Sequence, residues 1–257
     1  WDQDEIVSLS GNDIAMRLRH PWFNHIHTLD RTSRGLLVSS SGTDLLAEID
    51  EQGELLWQFF LFDHGYGGTR FRLGQTFDRT RSYNRRYLPA SLTTHPNSAL
   101  MHDEDTVLAT LFSTGELVRI NRRNGEVKVV LGGLRRPHSI RRRVGGGYMF
   151  CDTEGGRVVL LDPALQQVGQ LDVNAAWIQD AVLDDDRLLV VGNRRIVMSA
   201  LKTHSTPDES DNQIIELRGG TVRKKLNLGP DNRIYMVEPV TKRASRVGIE
   251  VMQGSFA

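Results

Sequence analysis

The sequence predicts an all-β fold: a single β-propeller over residues 1–257 with five four-stranded blades, six being the alternative count. The first observation is a repeat. Arg136–Asp162, RPHSIRRRVGGGYMFCDTEGGRVVLLD, reads as a polar-headed strand, a glycine turn, an apolar strand, a second turn and a third strand. Similar runs occur at His25–Asp50 and His95–Asn121, and more loosely at Trp177–Ala200. The second is spacing: Asn97 and His138 stand at equal offsets in their repeats, 41 residues apart, and one more such step reaches Gln179. Four short strands joined by tight turns need about 40–45 residues. The third is that no run sustains apolar residues at helical spacing, so helices should be few.

The elements follow in order. Glu5–Ser10 and Ile14–Arg19 flank the turn-rich SGND, which predicts an N-terminal hairpin. The first repeat gives strands at His25–Leu29, Gly35–Ser39, Leu45–Ile49 and Leu55–Phe60. Residues Leu61 to Thr94 break the pattern with arginines interleaved among aromatics, an insertion long enough to serve as a packed lid. The second repeat runs from His95 through Val107–Leu111, Glu116–Ile120 and Val127–Leu131, with Asn124-Gly125 as a hairpin turn. The third is the opening stretch plus Gln167–Leu171. The fourth is expected to hold Trp177–Val182, Arg187–Val191, Ile196–Leu201 and Ile214–Leu217, and the fifth Val222–Leu228, Arg233–Val237 and Arg246–Val251. Five blades close if the N-terminal hairpin returns to complete the last one, which removes free sheet edges.

Composition narrows the function. Lys plus Arg and Asp plus Glu are 32 each, so no net charge draws the chain to nucleic acid or an anionic membrane, and neither is an expected partner. The single cysteine, Cys151, lies in an apolar run without a partner, which fits a reducing compartment. An acidic N-terminus with no apolar segment of spanning length predicts a soluble, cytoplasmic protein. Nucleotide-binding glycine loops, zinc-finger cysteine pairs, HExxH and GxSxG are all absent from the sequence.

The segment PHSIRR-x-x-GGG-YMFCDT-x-GG-RVVLLD resembles the blade motif of NHL-repeat propellers and the gluconolactonase-like group, and GLLVSSSGTDLLAEID and TVLATLFSTGELVRIN are similar to its later half. The resemblance covers about two thirds of the chain and speaks to architecture, since such propellers include metal-dependent lyases, lactonases and non-enzymatic scaffolds. The chain departs from the gluconolactonase-like metal set, because its N-terminal glutamate has no placeable counterpart. The peptide-amidating lyases hold zinc with inward histidines, and Pro137-His138 reproduces their motif in part.

Inner strands line a propeller's channel, so the repeat heads converge. One layer should contain His27, Asn97, His138 and Gln179, its neighbour His25, His95, Arg136 and Trp177, and the fifth blade should add Lys224. Four of the eight histidines thus fall at channel positions. Three neutral imidazoles with an open position suit zinc, iron, copper or a similar ion, and the expected cofactor is a divalent metal, Zn, Fe, Cu, Mn or Ca. The expected ligands are His27 and His138, completed by His95 or His25; structural histidines bonded to strand carbonyls are the competing reading. Asp180 is a candidate base, although its register turns it toward a blade interface. His64, in the glycine-rich DHGYGG, is a candidate catalytic residue over the channel mouth. Arg136, Asn97, Gln179, Trp177, Lys224 and Tyr83 are candidate substrate contacts, and the arginines suit an anionic small molecule. The expected function is a metal-dependent lyase, hydrolase or isomerase acting on a small oxygenated or carboxylated substrate. The alternative is a non-catalytic propeller that binds a ligand or protein partner.

Overall fold

The computed structural model describes residues 4–10, 13–66, 77–84, 93–184, 186–194, 198–199, 202–203 and 212–238. The chain is a five-bladed β-propeller. Blade one comprises β3 (Ile26–Arg31), β4 (Leu36–Ser40), β5 (Leu45–Ile49) and β6 (Leu55–Phe60). Blade two comprises β7 (Pro96–Asp103), β8 (Thr106–Leu111), β9 (Glu116–Asn121) and β10 (Val127–Leu131). Blade three comprises β11 (Pro137–Arg142), β12 (Tyr148–Asp152), β13 (Arg157–Leu161) and β14 (Gln167–Asp172). Each is an antiparallel meander in sequence order. The hairpin of β1 (Glu5–Ser10) and β2 (Asp13–Arg19) packs beside blade one and represents the fifth blade among the described residues.

Blade four corrects the sequence reading. Its strands are β15 (Trp177–Asp184), β16 (Arg187–Asn193), β19 (Gln213–Arg218) and β20 (Thr221–Asn227). Between β16 and β19 the chain makes a separate hairpin of β17 (Met198–Ser199) and β18 (Lys202–Thr203). The stretch expected to open blade five is therefore the outer strand of blade four. The chain reaches the fifth position at Ile234, whose backbone N–H and C=O both bond the Asn193 side chain, at 3.2 and 2.6 Å. The expected strand at Arg246–Val251 lies outside the described residues, as does much of the insertion.

Strand periodicity explains how the blades hold together. Successive side chains point to opposite faces, so each middle strand supplies two interfaces. In blade one, Leu37 and Leu46 pack against Ala99, Val107, Ala109 and Val118 of blade two. Val38, Leu45, Ala47 and Ile49 turn the other way, onto Ile6 and Leu18 of the hairpin. Leu108 and Leu117 meet Ile140, Phe150 and Val159, and on the far side Met149, Cys151 and Val158 meet Ile178, Leu188, Val190 and Ile215. The core is thus a series of layers between blades.

In the insertion, Phe77 and Tyr83 stack at 4.4 Å and pack toward Trp22, Phe60 and Phe62. Asn84 donates to the carbonyls of His20 and Phe23, and Tyr83 N–H to Pro21 O. This part of the insertion fastens the segment leading into His25. No helix among the described residues is long and apolar enough to cross a membrane.

Candidate functional site

Three blades receive their inner strand through a residue in the left-handed region: His25 (φ 56), His95 (φ 58) and Arg136 (φ 57). This conformation is uncommon outside glycine, with histidine among the enriched exceptions. It persists here because both flanking peptide groups are tied down. The His25 N–H donates to Asp4 Oδ1 at 3.1 Å and the His95 N–H to Asp44 Oδ1 at 2.8 Å. Their carbonyls accept from the N–H groups of Ser41 and Phe112, both at 3.1 Å. Gly42 contributes locally, since a Cβ there would lie 1.9 Å from Asn24 Oδ1 and displace the residue that leads into His25.

The left-handed turn swings the His25 and His95 rings onto His27. His27 Nε2 lies 3.3 Å from His25 Nδ1 and 3.1 Å from His95 Nε2, and the three ligand atoms all fall within 4.8 Å of one another. A tetrahedral site with metal–nitrogen bonds of about 2.0–2.1 Å has nitrogens roughly 3.3 Å apart, so two of the three edges already have the required length. Hydrogen bonding satisfies the group poorly. His27 Nε2 offers one in-plane proton or lone pair to two ring nitrogens. Burial, reinforced by neighbouring histidines, holds His27 and His95 well below the usual histidine range, and burial lowers His25 against the opposing charge of Asp4. All three imidazoles are thus neutral near pH 7, the form that donates lone pairs. The residues present fit a divalent ion with three protein ligands and an open position.

His138 corrects the expected ligand set. Its Nδ1 faces Arg136 O at 2.9 Å and Thr153 Oγ1 at 2.8 Å, and because a carbonyl only accepts, Nδ1 carries the proton. Nε2 then accepts from Asn97 Nδ2 at 2.8 Å, which engages the lone pair a metal would need. Its ring stands 6.5 Å from that of His27. Burial pushes its pKa down to about 4, with the Arg233 and Arg136 charges adding to the effect. His25 and His95 both cluster with His27, where one of them was expected beside His138, because the left-handed residues collapse two expected layers into one cluster.

Beside the triad stands an aromatic wall. Phe112 lies 5.2 Å from His95 and 5.4 Å from His138, and Trp177 lies 5.7 Å from His138. Trp177 Nε1–H donates to Gln179 Oε1 at 2.9 Å, so Asn97, Arg136, Trp177 and Gln179 do gather near the histidines. Other expected site residues do not. Lys224 is exposed on β20, the outer strand of blade four, because the β17–β18 hairpin displaced the register. Tyr83 is buried in the insertion, its hydroxyl accepting from Asp78 N–H. His64 stacks on Phe59 at 4.0 Å, away from the channel, at the end of a short 3-10 turn (Leu61–His64). Asp180 stands in an ion pair at the blade interface: it binds Arg141 at 2.8 Å, accepts from Ser139 and receives the Val237 N–H at 2.9 Å.

Sequence reading missed Arg233, Phe112 and Thr153. Phe112 and Thr153 follow the second strand of their blades, separated by the step that separates Asn97 from His138, so that spacing applied to strand ends would have found them. Arg233 occupies the fifth-blade lead-in once the register of blade four is corrected.

No protein-family model matches the chain, and no curated protein does. Solved structures match in fold. A protein of unknown function from Bacteroides caccae aligns with TM-score 0.53 at 14% identity, covering 89% of this chain and 70% of that one. Streptogramin B lyase aligns with TM-score 0.54 at 11% identity, over 88% of this chain and 62% of its own. A putative 6-phosphogluconolactonase from Bacteroides uniformis gives TM-score 0.54 at 15% identity, over 88% and 64%. The last two are therefore longer than the part this chain matches. The shared feature is the fold, and this chain is similar in architecture to propellers that include lyase and lactonase-like proteins.

Proposed function

We propose that the channel is a divalent-metal centre held by His25, His27 and His95, and that the protein is an enzyme of lyase, hydrolase or isomerase type. Its substrate is a small oxygenated or carboxylated molecule. The observation that carries this reading is the convergence of three neutral imidazole nitrogens from two blades, two of the three spacings being those a tetrahedral ion requires. A bound ion would polarise a substrate oxygen or activate water. The chain's own contributions are distinct. Asp4 and Asp44 fix the backbones of His25 and His95, and Phe112 and Trp177 provide a wall that excludes water. His138, locked with its proton on Nδ1, holds Asn97 in place beside the triad. A cytoplasmic location belongs to the same reading, consistent with a lone, buried thiol.

The test is metal content of protein purified without a histidine tag, measured by mass spectrometry, for wild type and the variants His27→Ala, His95→Ala and His138→Gln. The expected result is stoichiometric metal in wild type and His138→Gln and none in the other two. Wild-type protein that carries no metal and gains no thermal stability from added Zn, Fe, Mn, Cu or Ca would overturn the proposal.

A further inference from the structure

Two arginines meet at Trp177 from opposite directions along the chain. Arg136 leads into β11, and its guanidinium carbon lies 5.9 Å from the Trp177 ring centroid and 5.0 Å from that of Phe112. Arg233, at the lead-in to the fifth blade, places its guanidinium carbon 5.9 Å from the same indole. Both charges also act on the buried His138 ring.

Their partners do not balance them. Arg136 has Glu154, with Nε 3.3 Å from a carboxylate oxygen. Arg233 makes no hydrogen bond or ion pair with any described residue, and its Nε is buried and unsatisfied. Burial lowers its pKa, the response of a cation deprived of water and given no anion. Asp180, the carboxylate that acts on His138, is bound to Arg141, which also pairs with Glu238. His138 itself stays neutral. Of the charges on the indole and their direct partners, two guanidiniums face one carboxylate, a net of +1.

We infer that Arg136 and Arg233 form a two-pronged receptor for a small carboxylate, seated on the Trp177 indole beside the histidine triad. A net charge of +1 calls for a monoanion, which favours a carboxylate over a phosphate dianion, and a planar carboxylate matches the guanidinium fork. That this carboxylate belongs to the substrate rests on the function proposed above. The receptor itself does not require the metal.

The experiment is calorimetric titration of the chelator-treated full chain with lactate, its neutral analogue lactamide, and inorganic phosphate, at low salt and about pH 7. Lactate is expected to bind, lactamide not to bind, and phosphate to bind more weakly than lactate. Arg233→Gln and Arg136→Gln should each weaken lactate binding at least about tenfold, the loss of a charge-assisted hydrogen bond. Arg233→Lys should fall between, because it keeps the charge and loses the fork, and it serves if the glutamine variant does not fold. The titration is run on chelator-treated chain and the metal content of untreated wild type is measured separately, so failure of the receptor and failure of the metal centre are separable. Equal binding of lactate and lactamide, tighter binding of phosphate, or wild-type affinity in both folded arginine variants would overturn the inference.

Discussion

Replacing His138 with glutamine should flatten the acid side of the protein's stability curve. In the folded chain the ring is buried and its pKa sits at about 4, against 6.5 for an unperturbed histidine. As pH falls through 6.5, the unfolded chain takes up a proton that the folded chain refuses until about 4. Unfolding therefore gains ground across that window, and the stability is fully present only above it. One proton across the interval from 6.5 to about 5, at about 1.36 kcal/mol per pH unit, withdraws about 2 kcal/mol. His27 and His95 act with the same sign and remain in the variant. Urea midpoints at about pH 7 and pH 5, measured in chelator, give the comparison. Wild type should lose about 2 kcal/mol more between the two than His138→Gln. The variant's lost bonds to Arg136 O and Thr153 lower its stability at both pH values and cancel in the difference. Equal losses in the two proteins would refute the reasoning and show that His138 is not buried as a neutral ring.

Two further outcomes follow from packing. Glu48 is almost fully buried and carries ion pairs to Arg34 and Arg122, of which only Arg122 is itself buried; Arg122→Met should cost about 3 kcal/mol in urea unfolding, and adding Glu48→Gln should recover part of it. Cys151 is fully buried between blades three and four, and burial pushes its thiol pKa well up; its labelling by a thiol reagent should track global unfolding, and rapid labelling of the folded protein would contradict the packing described.

The blade scaffold was legible because it depends on local chemistry. Short continuous apolar runs in GLLVSS and YMFCD, together with turns such as Asn124-Gly125, fix strands and hairpins from neighbours in sequence. The constant spacing of Asn97 and His138 was legible too, and the structure joins these residues directly. The histidine cluster was only half legible. The layers expected for His25 and His27 assumed an extended backbone, whereas His25 has a positive φ that no residue pattern announced, because a histidine adopts it only when Asp4 and Ser41 hold its peptide groups from distant positions. Lys224 was misplaced for another reason: a short inserted hairpin shifts every later register, and the apolar pattern of Val222–Leu228 suits an outer strand as well as an inner one.

The left-handed residues at the heads of β3, β7 and β11 bear on transplantation. A side chain held at positive φ costs about 1 kcal/mol or more relative to glycine. A propeller grafted with histidines at the same sequence positions, but lacking a carboxylate to capture the following blade's first N–H, would let each of those residues relax to an extended backbone and carry its ring away. The transferable unit of this channel is consequently a pair drawn from adjacent blades, the presented histidine together with the aspartate behind it. A designer moving the site would have to move both.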